Sequence, residues 1–291
     1  MNALITGASA GIGFHTAAAL ARAGMRIIIT GRDEHRGRRA ISELQPHAGR
    51  DAVDFIVSDA LSIRDNLRIA DDVVHRMGRI DVLINNVGGA AFAERRETPE
   101  GLEAMIALNF VGPFALTTRF LRALPHTPPT RIINVVSSAF AMWKRDPFVD
   151  LDARERYVAI EVHAHAKLLN LLFTLALARR LAGTNASVNA VNPGMAWTPG
   201  VAALTPQAVP HWRLIWPLVR WVQRRASAKS AATAVASLAT ARDALLSGRY
   251  FDGLKEKRLD PWLLDAALQD RVWTLGESLV AQAIGQDATR S

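Results

Sequence analysis

The residues with the clearest chemical potential lie near the start of the chain, where a glycine-rich turn, Thr6-Gly7-Ala8-Ser9-Ala10-Gly11-Ile12-Gly13, follows an apolar run. Gly7 can adopt the angles of a tight turn, Gly11 lets the backbone approach a pyrophosphate, and Gly13 permits close packing of helix on strand. A helix that begins here offers free N–H groups to phosphate oxygens. The turn predicts a dinucleotide site that uses Gly7, Ser9, Gly11, Ile12 and Gly13.

Such a turn alone can be purely structural, but an arginine follows the second predicted strand. Arg32 stands where a dinucleotide site normally carries an acidic residue for the ribose 2′-OH. A guanidinium matches phosphate in a bidentate way, so Arg32 favours NADP(H) over NAD, although an ordinary surface arginine is the alternative. Residues that follow the third and fourth strands are expected near the adenine and its ribose, namely Asp59, Ala60, Asn86 and Gly88.

Alternating apolar patterns predict the elements that position these residues. Short runs rich in Ile and Val predict strands at 3–6, 26–30, 52–57, 81–85 and 131–136, with helices at 11–23, 34–44, 63–76 and 99–124. Near-continuous apolar strands joined by helices indicate a parallel sheet that is covered on both faces. The first half therefore predicts a doubly wound α/β fold.

The second half continues this pattern less regularly. After an irregular segment at 140–162, we expect a helix at 164–181 and strands at 187–191 and 249–251. Several prolines mark 195–247 as a lid-like helical insertion, and 260–285 contains a C-terminal helix. The whole chain, 1–291, is predicted to be one domain.

Composition excludes several classes of protein. The chain has 291 residues, a formal net charge of +8 and no cysteine, so disulfides and thiolate chemistry are impossible. We predict no metal site, and no nucleic-acid partner, because no recognition motif accompanies the dispersed arginines. Charged residues and prolines interrupt the apolar runs, so we expect no membrane span, no signal peptide and a cytoplasmic location.

A tryptophan-rich segment at 210–225 combines Trp212, Trp216 and Trp221 with four arginines. A lid over a bulky apolar or aromatic substrate is the favoured interpretation. A subunit contact comes next. Membrane association ranks last, because Pro217 interrupts the amphipathic pattern.

Together these motifs resemble the short-chain dehydrogenase/reductase family, in its retinol-dehydrogenase-like and WW-oxidoreductase-like branch. The resemblance covers nearly the whole chain and rests on RIINVVSS at 131–138, KLLN at 167–170, NPG at 192–194 and GRYF at 248–251. It implies a Rossmann-type fold and a nicotinamide cofactor. It also implies possible homo-oligomers that pair through the helices bearing Asn109 and Lys167.

The resemblance also implies a catalytic set of asparagine, serine, tyrosine and lysine. Asn109, Ser138 and Lys167 match three of these positions, while Pro193, Gly194 and Thr198 match the contacts to the nicotinamide. The tyrosine position, four residues before Lys167, holds His163. Tyr157 and Tyr250, the chain's two tyrosines, stand too far away in sequence to replace it.

Three hypotheses follow from His163. The protein is an NADP(H)-dependent dehydrogenase or reductase in which His163 is the proton donor. Alternatively, it catalyses a non-redox isomerisation, elimination or cyclisation with His163 as base. In the third hypothesis the protein is an inactive binding protein, because a family fold gives an expectation while the site decides the function. His165, two residues further on, is expected to be structural.

Overall fold

The computed structural model describes residues 1–49, 52–89, 92–123, 129–197, 216–241 and 246–285. These residues form an eight-stranded sheet in the order β3-β2-β1-β4-β5-β6-β7-β8. Neighbouring strands are parallel except β7 and β8, which form an antiparallel hairpin. The order reverses direction between β1 and β4, so the carboxyl ends of these strands flank the crevice where doubly wound sheets bind ligands. This confirms the predicted fold class.

The strands are β1 (Asn2–Ile5), β2 (Arg26–Gly31), β3 (Val53–Val57), β4 (Val82–Asn85), β5 (Thr130–Val135), β6 (Ala186–Asn192), β7 (Tyr250–Asp252) and β8 (Lys255–Lys257). The helices are α1 (Gly11–Arg22), α2 (Glu34–Ala48), α3 (Ile63–Met77), α4 (Ala104–Ile106), α5 (Gly112–Ala123), α6 (Ala159–Arg180), α7 (Trp216–Arg225), α8 (Ala228–Thr240) and α9 (Ala266–Gly285). Short 3₁₀ turns occur at Ser138–Met142 and Pro261–Leu264.

The predicted helix at 99–124 was wrong in its first turn and in its regularity. Helical structure begins at Ala104, and a π-helical turn, Ala107–Val111, joins α4 to α5. In an α-helix the carbonyl of Asn109 would accept from the N–H of residue 113, but that residue is Pro113 and has no N–H. The proline therefore accounts for a widened turn here.

Two other boundaries also differ from the sequence prediction. Helix α6 begins at Ala159, so the end of the segment predicted as irregular is helical. Strand β8 was missed because its three residues, Lys-Glu-Lys, are all charged and exposed. The signal that could have revealed it is Asp252-Gly253, since Gly253 has a φ of +60° at the first position of a two-residue hairpin loop.

Apolar side chains fill both faces of the sheet. One core cluster joins the sheet to α3, α5, α6 and α9, and a second joins it to α1, α2 and α8. Each helix therefore packs one face against strands that are buried on both sides. The carboxyl edge of the sheet is left to form the site.

Helix α9 lies on the face formed by α5 and α6. Trp273 packs edge-on against Phe114, with ring centroids 5.2 Å apart, and the Arg180 guanidinium lies 4.2 Å from the Trp273 ring. Gly276 makes the approach possible, because a Cβ atom there would lie 2.6 Å from the Phe114 ring. The predicted pairing of subunits through the helices of Asn109 and Lys167 stays a prediction, and α9 already covers part of that surface.

Two stretches, Ala104–Arg122 and Ala159–Arg180, are long and apolar enough to cross a membrane by length and composition alone. Their most apolar windows are 78% and 89% buried inside the protein, respectively. A helix that is apolar on all sides is either a core helix or a membrane span, and burial to this degree is typical of the core helix.

Candidate active site

The glycine-rich turn leaves β1 and enters α1 with the geometry that a phosphate-binding turn requires. Gly7 and Gly11 both have a φ of +62°, a left-handed conformation that favours glycine. The helix begins after Ala10, and no side chain caps its first N–H groups. Because those N–H groups are directed along the helix axis toward the turn, the residues present fit a bound pyrophosphate.

Asn86, after β4, holds this turn in place. Its Nδ2 donates to the carbonyl oxygens of Thr6 at 2.9 Å and Gly7 at 3.3 Å, and the Thr6 hydroxyl accepts from the Asn86 N–H at 3.0 Å. Gly13 must lack a side chain, since a Cβ atom there would lie 2.5 Å from Asn86 Nδ2. Asn86 therefore couples the ends of β1 and β4.

The π-helical turn positions Asn109 beside the loop that follows β4. Its Oδ1 accepts from the Gly89 N–H at 3.0 Å, and its Nδ2 donates to the carbonyl oxygen of Met105 at 2.9 Å. The Asn109 carbonyl, left without an α-helical donor by Pro113, accepts from Asn170 Nδ2 at 2.6 Å. The two asparagines thus link the widened turn to α6.

Lys167, on α6, extends its amine into the end of the sheet. The side chain is 3% exposed, and Nζ donates to the Val135 carbonyl oxygen at 2.8 Å. A Cβ atom on Gly88 would lie 2.6 Å from Nζ and 2.7 Å from Asn109 Oδ1, so a side chain there would displace the ends of both side chains. Burial lowers the pKa of Lys167 to about 7, because the charged amine loses its hydration.

His163 lies one helical turn before Lys167 and is 6% exposed. Burial lowers the pKa of His163 to about 3, and the nearby positive charge of Lys167 lowers it too, while a hydrogen bond with the Gly89 backbone acts in the opposite direction. Its Nδ1 atom is buried and has no hydrogen-bond partner within the described ranges. The imidazole is therefore neutral throughout the physiological pH range.

One cavity of about 710 Å³ brings these groups together at the carboxyl ends of β1, β4, β5 and β6. It runs from the glycine-rich turn to the His163 and Lys167 side chains. Of the predicted site residues, its lining includes Gly7, Ser9, Gly11, Ile12, Asn86, Gly88, Ser138, His163, Lys167, Pro193 and Gly194.

Two adjacent serines, Ser137 and Ser138, lie in the cavity wall, and Ser138 is the one predicted from the sequence. Ser138 is exposed in the cavity wall, but Ser137 lines the cavity as well. The Ser137 hydroxyl accepts from the Ala139 N–H at 3.2 Å and so caps the 3₁₀ turn. Ser138 is therefore the serine whose side chain has no such structural task among the described contacts.

Other predicted cofactor residues do not line this cavity. Arg32 is exposed, and Asp59 and Ala60 lie outside the lining. Asp59 instead accepts from the Leu61 N–H at 3.1 Å. The predicted cofactor contacts of these residues stay predictions, and Thr198 lies outside the described residues.

Sequence reasoning missed Arg36, which does line the cavity. It lies in the first turn of α2, where Asp33 caps the helix by accepting from the Arg36 N–H at 3.0 Å. The same carboxylate pairs with Arg36 Nε at 3.3 Å. The available signal was a second arginine four residues after Arg32, at the start of the helix predicted at 34–44.

Two aromatic residues near the site make structural contacts, which the sequence analysis predicted for His165. His165 Nε2 donates to the Pro147 carbonyl oxygen at 2.7 Å, and its ring stacks on Trp143 with centroids 4.0 Å apart. The Tyr157 hydroxyl donates to the Phe92 carbonyl oxygen at 3.1 Å and does not line the cavity. Neither residue replaces the missing tyrosine.

Helix α7 supplies another part of the wall. Trp216 and Gln223 line the cavity, whereas Trp221 is 54% exposed and lies under Arg225, whose guanidinium is 3.5 Å from the ring centroid. These two tryptophans therefore do not share one face, and Trp212 lies outside the described residues.

Comparison with known proteins identifies the class. Residues 1–208 match the family model described as short chain dehydrogenase. The chain is 34% identical over 288 residues to mouse (Mus musculus) retinol dehydrogenase 14, covering 95% of this chain and 85% of that protein. It is also 34% identical over 284 residues to human (Homo sapiens) retinol dehydrogenase 13, covering 95% and 83%.

Solved structures show the same relationship. An uncharacterized protein from Mycobacterium paratuberculosis aligns with a TM-score of 0.72 and 29% identity over 96% of this chain and 93% of that chain. Actinorhodin polyketide ketoreductase with NADPH aligns with a TM-score of 0.65 and 27% identity over 86% and 94%. The chain belongs to the short-chain dehydrogenase family and is an oxidoreductase similar to retinol dehydrogenases. Membership implies a nicotinamide cofactor and a small-molecule substrate.

The burial of His163 predicts acid sensitivity. The pKa of His163 is about 3 in the folded protein, against the ordinary histidine value of 6.5 in the unfolded chain, so the unfolded chain binds more protons between these two pH values. The contribution of neutral His163 to the stability of the folded protein is therefore complete above pH 6.5 and is lost as the pH falls toward 3. Between these pH values, the free energy of unfolding should fall less steeply with decreasing pH in His163→Gln than in wild type. The difference should be up to about 1.4 kcal/mol per pH unit.

Urea denaturation at several pH values between neutral and mildly acidic measures this slope. The matched control is His75→Gln, a change of the same residue type on the exposed surface of α3. Equal slopes for wild type and His163→Gln would show that His163 is not held neutral by the fold.

Proposed function

We propose that the protein is an NADP(H)-dependent dehydrogenase or reductase acting on a hydroxyl or carbonyl group of a bulky, apolar small molecule. The observation that carries this proposal is the continuous cavity that joins the glycine-rich turn to Ser138, His163 and Lys167. Met142, Ile160 and Trp216 contribute apolar surface to the same cavity. The names of the retinol dehydrogenase relatives also favour an apolar alcohol or aldehyde as substrate.

Arginines at the start of α2 support a preference for NADP(H). Arg36 lines the same cavity as Ser9 and Gly11, and Arg32 directly precedes Asp33, the N-cap of α2. The nearby acid, Asp33, caps α2 and offsets one positive charge by pairing with Arg36, so Arg32 and Arg36 together leave a net positive charge for a 2′-phosphate. The related ketoreductase structure with NADPH is consistent with the same preference.

A bound nicotinamide supplies or accepts the hydride at the substrate carbon. We infer that Ser138 donates a hydrogen bond to the substrate oxygen, as the resemblance to the family implies. His163 is too weak a base to hold a proton near neutral pH, so it contributes as a neutral imidazole whose N–H polarises that oxygen. In the direction of reduction, the substrate oxygen takes its proton from the Lys167 ammonium group. The pKa of about 7 lets this group donate and regain a proton near neutral pH.

An assay with NADPH and a panel of apolar ketones and aldehydes, including retinaldehyde, tests this function. Wild type is expected to oxidise NADPH with at least one substrate. His163→Ala should lose about 10- to 100-fold in kcat/KM, because a positioned donor to the substrate oxygen is removed. NADPH binding, followed by its fluorescence, should change little in the variant.

The alternatives make different predictions in this assay. NADPH binding without turnover by wild type, with activity appearing in His163→Tyr, would contradict catalysis by His163 and favour an inactive binding protein. Substrate conversion without a change in NADPH absorbance would favour the non-redox reaction.

Cofactor preference is tested by Arg36→Ala. The dissociation constant for NADPH should rise by about tenfold, while that for NADH should stay within about twofold, since only NADPH carries the 2′-phosphate. Arg38→Ala is the matched control, because Arg38 lies on the same helix but pairs with Glu34 and does not line the cavity. Equal weakening of NADPH and NADH would contradict a 2′-phosphate contact.

A further inference from the structure

Two residues that line the cavity carry buried polar atoms without a partner. Within the described residues, ten buried side-chain nitrogen or oxygen atoms have no hydrogen-bond partner. His163 Nδ1 and Gln223 Oε1 are the two that belong to cavity-lining residues. His163 already has a place in the proposed reaction, but Gln223 does not.

Gln223 is 9% exposed, and its backbone is tied to the neighbouring loop. Its carbonyl oxygen accepts from the Ala226 N–H at 3.0 Å, and the Ala226 carbonyl oxygen accepts from the Trp197 N–H at 2.9 Å. The Arg220 guanidinium lies 4.7 Å from the Trp197 ring and 5.7 Å from the Trp216 ring. Helix α7 is therefore fixed against the segment that follows β6, with Gln223 in the cavity wall.

A buried amide oxygen without a partner destabilises the fold, since it has lost its hydrogen bonds to water. A methionine of similar length would fill the same space without that loss. A native structure that keeps such a group needs a reason for it, and a ligand that supplies the missing partner is one.

The placement favours the substrate over the cofactor phosphates as the source of that partner. Helix α7 contacts the chain after β6, whereas the glycine-rich turn follows β1. In the sheet order β1-β4-β5-β6, the ends of β1 and β6 are three inter-strand distances apart, or about 14 Å. Trp216, on the same helix, contributes apolar surface to the same cavity, and a hydrogen bond to a buried amide discriminates strongly between substrates with and without the matching hydroxyl group.

We propose that Gln223 is a specificity-determining residue that hydrogen-bonds a second hydroxyl group on an otherwise apolar substrate. This inference rests on the proposed dehydrogenase function. The terminal torsion of a glutamine is soft, so the amide can turn its oxygen or its NH₂ group toward that hydroxyl. The substrate then carries one oxygen at the reacting carbon near His163 and another at the α7 wall.

Matched pairs of substrates test this contact. Straight-chain aldehydes of increasing length are compared with the same aldehydes carrying a terminal hydroxyl group, by kcat/KM with NADPH. Wild type should prefer the hydroxyaldehyde by about tenfold at one or two chain lengths. Gln223→Met should remove this preference and leave the plain aldehyde within about twofold of wild type, which also shows that the variant is folded.

Trp221→Phe, an exposed position on the same helix outside the cavity, is the matched control and should keep the preference. The proposal is overturned if wild type shows no preference at any length, or if Gln223→Met retains it. An equal fall in kcat/KM for the plain aldehyde and the hydroxyaldehyde in Gln223→Met would retain the preference, and would therefore indicate a structural role and overturn the proposal. A raised dissociation constant for NADPH in Gln223→Met would assign the amide to the cofactor instead, which also overturns the proposal.

Failure of the dehydrogenase function itself is recognised separately, because wild type would then leave the plain aldehydes unreduced. Calorimetric binding of a long-chain alcohol and the matched diol gives the comparison without turnover. Tighter binding of the diol by wild type, lost in Gln223→Met, would still support the contact. Equal affinities would overturn it.

Discussion

The burial of the Lys167 amine is the interaction on which the arrangement of the site depends. An amine at 3% exposure has lost most of its water, and the Val135 carbonyl at the end of β5 gives it one strong acceptor. The absence of a side chain at Gly88 leaves room for this contact, and α6 packs closely on the sheet. The fold thus holds a titratable amine where the carboxyl ends of the central strands meet.

Burial is the main cause of the lowered pKa of His163, and the neighbouring amine of Lys167 lowers it further. A phenol placed one turn before Lys167 would be helped to ionise by the positive charge, whereas an imidazole is pushed toward its neutral form. His163 is therefore a donor or acceptor of hydrogen bonds more than a carrier of protons. In the proposed reaction the proton is carried by Lys167, because burial lowers the pKa of its amine to about 7.

Much of the fold could be predicted from the sequence because its signals are local. The glycine spacing from Gly7 to Gly13 and the buried Ile and Val runs each predict a strand or a turn without knowledge of distant residues. Pro113 also carried a readable signal, since it lacks the N–H that an α-helix would need at that point. Its consequence, a carbonyl of Asn109 that is free for Asn170, depends on how two helices pack.

Contacts between distant segments could not be predicted in this way. Arg36 reaches the cavity because α2 packs on β3, and Gln223 does so because α7 folds back on the segment after β6. The sequence analysis predicted both Gly7 and Asp59 as cofactor-binding residues, but of these two only Gly7 lines the cavity. Side-chain direction in three dimensions decides such cases, and the sequence pattern does not specify it.

The central claim is that His163 stays neutral beside Lys167, and NMR of ¹³C-labelled histidine measures it most directly. Titration of the protein with bound NADP⁺, with His163→Gln to assign the resonance, reports the protonation of this imidazole alone. The His163 resonance should show no protonation down to about pH 5, well below the ordinary histidine midpoint, because burial lowers the pKa of this imidazole to about 3. A midpoint near the ordinary value of about 6.5 would contradict it.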